Sequence, residues 1–259
     1  SVGGRAVRLG YNVIHYTLEL GESYVGKRYD AFFTKVDVRE LHNNREKIDD
    51  IIPQLPGKLV IKEFPTGRAT MSTIESHIKK VESLGMKADL VIIDYVDLLS
   101  SGRKNRERKD EIDDIYTSTK GLAKQLDIPI WSVSQVNRAG ANDEIIEGDK
   151  AAGSYDKLMI TDFCMSLSRK KEDKVGGTGR LHIMKNRYGM DGHTFSVTAN
   201  TSNGHFEVFP YNTDLSGDED SFAPKTRSNS YDDVDAHTKR KAADAYNQVK
   251  QDIFSFESK

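Results

Sequence analysis

The stretch of residues 88–99, ADLVIIDYVDLL, constrains the fold of this chain more than any other. Leu90 to Ile93 form an unbroken apolar run rich in β-branched side chains. Such a run predicts a parallel strand buried on both faces, because a strand with one wet face alternates. Asp94 closes the run. A carboxylate is costly to bury, so it belongs at the C-terminal edge of the sheet, where open α/β folds place their ligand crevice and where a hydrated Mg²⁺ can offset its charge. That is the Walker B arrangement. Strands ending in Asp also occur in α/β proteins that bind no nucleotide, so the companion residues decide what this one means.

Length and composition bound the rest. With 259 residues, 30% charged and 37% hydrophobic, the chain can hold one sizeable α/β core plus a tail. The single cysteine, Cys164, excludes an internal disulfide, and no segment approaches the roughly 20 apolar residues of a membrane helix. A cytosolic setting is expected. The formal charge of −2 carries no global basic signature, so any contact with nucleic acid must be local. The chain starts at Ser1, without Met and without a signal pattern, and is expected to be cut from something longer.

Taken in order, residues 1–10 read as the end of a helix closed by Gly10, and residues 11–20 as a strand. Residues 22–33 have helical spacing through Val25, Tyr29, Phe32 and Phe33, and an amphipathic helix is expected over 38–52, stopping before Pro53. A strand at 58–63, a helix at 71–84 ended by Gly85, the acid-tipped strand, a basic loop at 100–109, a helix at 110–126 and a buried strand at 128–134 follow. Beyond a long polar loop at 137–150 comes a helix-like segment at 151–158. Strands at 162–168, 179–185, 194–198 and 206–209 are close enough to predict antiparallel hairpins on one edge. The expected organisation is a core over 1–212, a flexible polar linker over 213–233 and a C-terminal helix or tail over 234–259.

Three successive buried strands end in polar side chains: Glu19 after HYTL, Asp94 after VII and Gln135 after WSVS. Parallel packing would bring these ends to one sheet edge. A carboxylate that can polarise water, a carboxylate that can hold Mg²⁺ and an amide that can touch a phosphate oxygen would then converge. Each is more often structural when alone; the combination is specific.

HYTLEL, VIIDYVDLL, WSVSQVNR and LHIMKNRYG, in this order and spacing, resemble the motor domain of DnaB-type replicative helicases, most of all those of tailed bacteriophages. The resemblance runs from Ser1 to about Phe209. It implies an α/β, RecA-like P-loop NTPase sheet, mostly parallel, with β-hairpins at its C-terminal edge and helices on both faces. It further implies hydrolysis of ATP or another NTP with Mg²⁺ at the subunit interfaces of a hexameric homo-oligomeric ring that moves on single-stranded DNA in the host bacterial cytosol. A primase or a helicase loader is an implied partner. On this resemblance Glu19 is the general base, Asp94 the acid that holds Mg²⁺ through water, and Gln135 the sensor of the γ-phosphate. Lys185 and Arg187 match the basic pair that reaches into the neighbouring subunit's site, with Arg187 as arginine finger.

The same resemblance points to the region after the sensor strand for DNA contact, with Arg138, Lys150, Gly153 and Ser154 as candidates. Asp143, Glu144, Glu147 and Asp149 in that region depart from a strongly basic pore. The largest departure is that no G-x-x-x-x-G-K followed by Ser or Thr occurs anywhere in the chain. The resemblance places that phosphate loop just upstream of Ser1, together with a central strand that would lie beside residues 128–134. A recombinase-type RecA-like ATPase and a non-catalytic RecA-like scaffold are the alternatives. SQVNR followed by KNRYG speaks against the first, and the presence of Glu19, Asp94, Gln135 and Arg187 against the second.

Overall fold

The apolar run after Ala88 forms the strand it predicts. The computed structural model describes residues 1–102, 107–136, 143–147 and 156–211. In it, α1 (Val2–Arg8) leads into β1 (Val13–Thr17), α2 (Glu22–Thr34), α3 (Arg45–Ile51), β2 (Leu59–Glu63), α4 (Met71–Ser83), β3 (Leu90–Asp94), α5 (Arg108–Leu126) and β4 (Ile130–Ser132). These strands make one parallel sheet in the order β2-β1-β3-β4, with Thr17 opposite Asp94 and Ile93 opposite Ser132. Parallel neighbours need a crossover, and helices supply them on both faces. Ile14, Tyr16, Val91 and Ile93 pack against Ile74 and Ile78 of α4 and Ile112 and Ile115 of α5. Val13 and Ile92 turn the other way, onto Val7 of α1 and Val25, Tyr29 and Phe32 of α2.

The contact between α1 and α2 depends on two adjacent glycines. A Cβ at Gly3 would lie 2.3 Å from Tyr29 Oη and 2.8 Å from Ile92 Cδ1, and one at Gly4 would lie 2.5 Å from Phe32 Cδ1. Gly10 takes φ +91° just past the helix, a conformation that costs glycine nothing.

The second half begins with α6 (Asp156–Ile160) and continues through β5 (Phe163–Ser168), α7 (Lys171–Gly176), β6 (Thr178–Asn186), β7 (Thr194–Asn200) and β8 (His205–Pro210). Its strands pair antiparallel in the order β5-β6-β7-β8. The expected hairpins are present, and they form a sheet of their own instead of extending the parallel one. β4 and β5 are therefore both edge strands among the described residues, and residues 128–136 and 160–167 both line a cavity of about 1310 Å³. Lys120 of α5 ties the two halves, its Nζ donating at 2.8 Å to Ile160 O and to Asp162 Oδ1.

Three stretches differ from expectation. The single helix expected over 38–52 is broken into a 3₁₀ turn at Leu41–Asn43, then α3, then a second 3₁₀ turn at Ile52–Gln54. The Asp37 carboxylate accepts from the Arg39 backbone N–H and side chain, a local turn that competes with helix, and α3 buries no residue that would repay extending it. β4 is three residues long instead of seven, since it has a ladder partner on one side only. α7 was not expected; the Asp173 carboxylate accepts from Lys170 N at its start, and Gly177, at φ +70°, ends it. Residues 212–259, which hold the expected linker and tail, lie outside the described residues, as do most of 151–158. Among the described residues no helix is long and apolar enough to cross a membrane.

Candidate functional site

Register delivers the polar strand ends to one edge. Leu18 N donates to Asp94 O at 2.9 Å, which places Glu19 one residue beyond the point where β1 leaves β3. Ser132 Oγ donates to Ile93 O and accepts from Val96 N, fixing the end of β4 against the turn after Asp94. Tyr95 sits among the three predicted residues. Gln135 Nε2 donates to its hydroxyl at 3.4 Å. Burial, followed by the carboxylates of Glu19, Asp97 and Asp94, holds that hydroxyl above its ordinary pKa. Glu19 and Gln135 are exposed, whereas Asp94 is half-buried.

Asp94 faces the cavity with His15, Arg28, Tyr29 and Gln135. Burial pushes its carboxyl pKa up, and the Arg28 guanidinium pulls it back down. Next to it on β1's α2-facing side, His15 Nδ1 lies 2.8 Å from Tyr29 Oη, while His15 Nε2 is buried and finds no hydrogen-bond partner. Burial lowers the His15 pKa to about 4, so the ring is neutral at physiological pH. Asp94 thus lies half-buried on the face of the sheet that also carries the neutral His15 ring, and its charge is felt at the Tyr29 hydroxyl.

Lys185 and Arg187 are placed elsewhere. Lys185 Nζ donates at 2.8 Å to Leu158 O and Met159 O in α6, and Arg187 Nε pairs with Asp162 Oδ1 at 3.2 Å. Burial, then the charges of Arg187 and Lys120, lowers the Lys185 pKa. The Arg187 side chain is 48% exposed and keeps an accessible face. The structure thus brings Glu19, Asp94 and Gln135 together and leaves Lys185 on the second sheet and Arg187 just past the end of its strand. Arg138, Lys150, Gly153 and Ser154, the predicted DNA contacts, lie outside the described residues.

Sequence reasoning missed Tyr95, Arg28 and Asp162 as neighbours of the candidate groups. Tyr95 was legible as the residue after the acid; Arg28 and Asp162 carry no local signal, because their partners are distant in sequence.

A parallel sheet with helices on both faces, acids and an amide at its C-terminal edge, and an antiparallel sheet following in the chain make a RecA-like fold. Solved structures share the fold. One is an ATPase domain, with TM-score 0.66 and 20% identity over 81% of this chain and 78% of that one. Another is a DnaB-like replicative helicase studied with primase, with TM-score 0.65 and 19% identity over 80% of this chain and 53% of that one. Residues 5–207 match the DnaB-like helicase C-terminal domain, and the chain belongs to that family. It is 21% identical to the DnaB-like replicative helicase of Enterobacteria phage T4 over 73% of this chain and 42% of the relative. It is 26% identical to the replicative DNA helicase DnaB of Mycobacterium intracellulare over 67% of this chain and 32% of the relative. The chain therefore spans well under half the length of these relatives.

Proposed function

We propose that residues 1–212 are the motor core of a replicative DNA helicase that hydrolyses ATP or another NTP with Mg²⁺ and moves on single-stranded DNA as a homo-oligomeric ring. The ring is a hexamer that works in the bacterial host cytosol with a primase or a loader, and residues 213–233 and 234–259 are its linker and C-terminal tail. The observation that carries this reading is the convergence of Glu19, Asp94 and Gln135 on one sheet edge, in a chain whose family is that of DnaB-like helicase domains.

The residues present fit part of a nucleotide–metal site. Mg²⁺ keeps several waters and takes one or two carboxylates plus substrate phosphates, so a single half-buried Asp94 suits it without a dedicated cage. Bound, the ion neutralises charge on the phosphates. Glu19, exposed one residue past the strand, would accept the proton of the attacking water, and Gln135 would donate its amide to a phosphate oxygen. The phosphate cradle itself has no counterpart, since the chain holds no G-x-x-x-x-G-K motif and the acids alone would repel a triphosphate. Arg187 would act on the nucleotide of a neighbouring subunit, because it stands just past the end of β6 with its outer face open.

Two measurements test the reading. The full-length protein should release phosphate from ATP and unwind a forked duplex, and Glu19→Gln should retain nucleotide binding while losing both. Parental turnover in Glu19→Gln would remove the base assignment. The 259-residue chain alone should bind ATP–Mg²⁺ weakly, followed through Trp131 fluorescence, and should not turn it over. Micromolar binding with steady turnover would mean that a phosphate site lies elsewhere and would overturn the reading.

A further inference from the structure

The turns that follow β3 and β4 are joined by a charged group that the proposed hydrolysis does not use. Lys157 of α6 is only 3% exposed. Its Nζ donates to Asp97 Oδ2 at 2.5 Å and to Ser134 Oγ at 3.2 Å. Tyr116 of α5 donates to Asp97 Oδ1 at 2.7 Å, and the centre of its ring lies 5.3 Å from the same ammonium. Asp97 stands three residues past Asp94, and Ser134 immediately precedes Gln135. One ammonium therefore touches both turns that carry the candidate acid and the candidate sensor.

A buried ion pair is a poor source of stability, because the cost of desolvating both charges offsets their attraction and an apolar pair of equal volume does as well. Its directional bonds fix position instead. The other side of α6 is held with equal directionality: Lys185 donates to Leu158 O and Met159 O, and Lys120 donates to Ile160 O. A five-residue helix is thus pinned between the strand-end turns of the parallel sheet and the β6 strand that carries Lys185.

We propose that Lys157 is a positioning residue that makes α6 a mechanical link between the nucleotide edge and the rest of the motor. Through Ser134 it sets Gln135, through Asp97 it sets the turn after Asp94, and a displacement of α6 moves both. This rests on the motor reading above. In the chain α6 directly follows the region proposed to meet DNA, so DNA binding is the displacement that should be read at Gln135.

The test is steady-state ATP turnover of the full-length protein with and without oligo(dT), for the parent, Lys157→Met, Lys157→Arg and the triple variant Asp97→Leu/Tyr116→Phe/Lys157→Met. The ratio of DNA-stimulated to basal turnover should fall roughly tenfold in Lys157→Met, within the usual span of coupling between sites. Lys157→Arg should recover part of the ratio. The triple variant, which removes the Lys157–Asp97 pair whole, should melt near the parental temperature and still lack stimulation. A parental ratio in the folded triple variant, or in folded Lys157→Met, overturns the link and leaves the motor reading standing. A parent protein whose turnover ignores oligo(dT) removes the motor reading, and the link with it.

Discussion

The two sheets have the same number of strands and opposite relations to solvent. In the parallel sheet Val13, Ile14, Tyr16, Val91 and Ile93 have no exposed surface, because helices cover both faces. In the antiparallel sheet full burial is confined to a few positions such as Val197, and Phe206, Val208 and Phe209 of β8 are about two-fifths exposed. The sealed strands hold a mid-strand polar group such as His15 against Tyr29 and open to solvent where they stop, at Glu19, Asp94 and Gln135. A half-wet strand can carry polar groups along its length, as β6 carries Arg180, Lys185 and Asn186. The first sheet concentrates chemistry; the second distributes contacts.

The sharpest way to break this contrast is kinetic. In the full-length protein Glu19→Gln should lower turnover by roughly 10²–10⁴-fold, the usual worth of a general base. Arg187→Ala should be equally inactive alone yet regain activity when mixed with Glu19→Gln subunits, since a mixed interface can pair an intact base with an intact finger. Mixed rings that recover nothing would place Arg187 in its own subunit's service. Next in size, Ile93→Ala should cost about 2–5 kcal/mol in denaturant unfolding of this chain, by removing a fully buried side chain from a sheet closed on both faces.

Acid should tell the sheets apart by a similar amount. His15 has its pKa lowered from 6.5 to about 4 by burial. Between those values the unfolded chain takes up a proton that the folded chain refuses, so the His15 contribution to stability should be lost as pH drops through that window and stay constant above it. The loss should approach on the order of 3 kcal/mol at pH 4, and His15→Asn should flatten that limb of the unfolding midpoint plotted against pH. The smallest effect belongs to the second sheet. Val208→Ala should shift the midpoint by less than about 0.5 kcal/mol, because the side chain is already 46% exposed. A loss as large as that of Ile93→Ala would mean that β8 is covered in solution.

The parallel sheet was largely legible because its signals are local. Leu90 to Asp94 announce a buried strand and its chemical end in five consecutive residues, and the same pattern located β1. β4 was found but overestimated, since residues 128–134 are apolar enough for a longer strand while only Ile130 to Ser132 find ladder partners on β3. The break in 38–52 turned on one carboxylate, Asp37, whose turn outcompeted a weak apolar stripe. Lys157 was illegible in principle: its partner Asp97 is sixty residues away, and a lysine between a leucine and an aspartate in a short helix reads as a solvated face. The proximity of Glu19, Asp94 and Gln135 followed from strand order alone; Tyr95, visible as the residue after the acid, is tied to all three only through its hydroxyl.

Gly3 and Gly4 give α1 an unusual place in the dynamics of the molecule. Each glycine disfavours helix by about 1 kcal/mol relative to alanine, so this stretch needs support from packing. α1 is helical because its bare backbone rests on Tyr29, Phe32 and Ile92. Its amides should therefore exchange with solvent through a local opening far below the energy of global unfolding, while those of β1 and β3 wait for the whole domain to open. Ser1 and Tyr29 border the same cavity as Asp94. Each such opening would widen the reach of water into the cavity that the half-buried acid already faces.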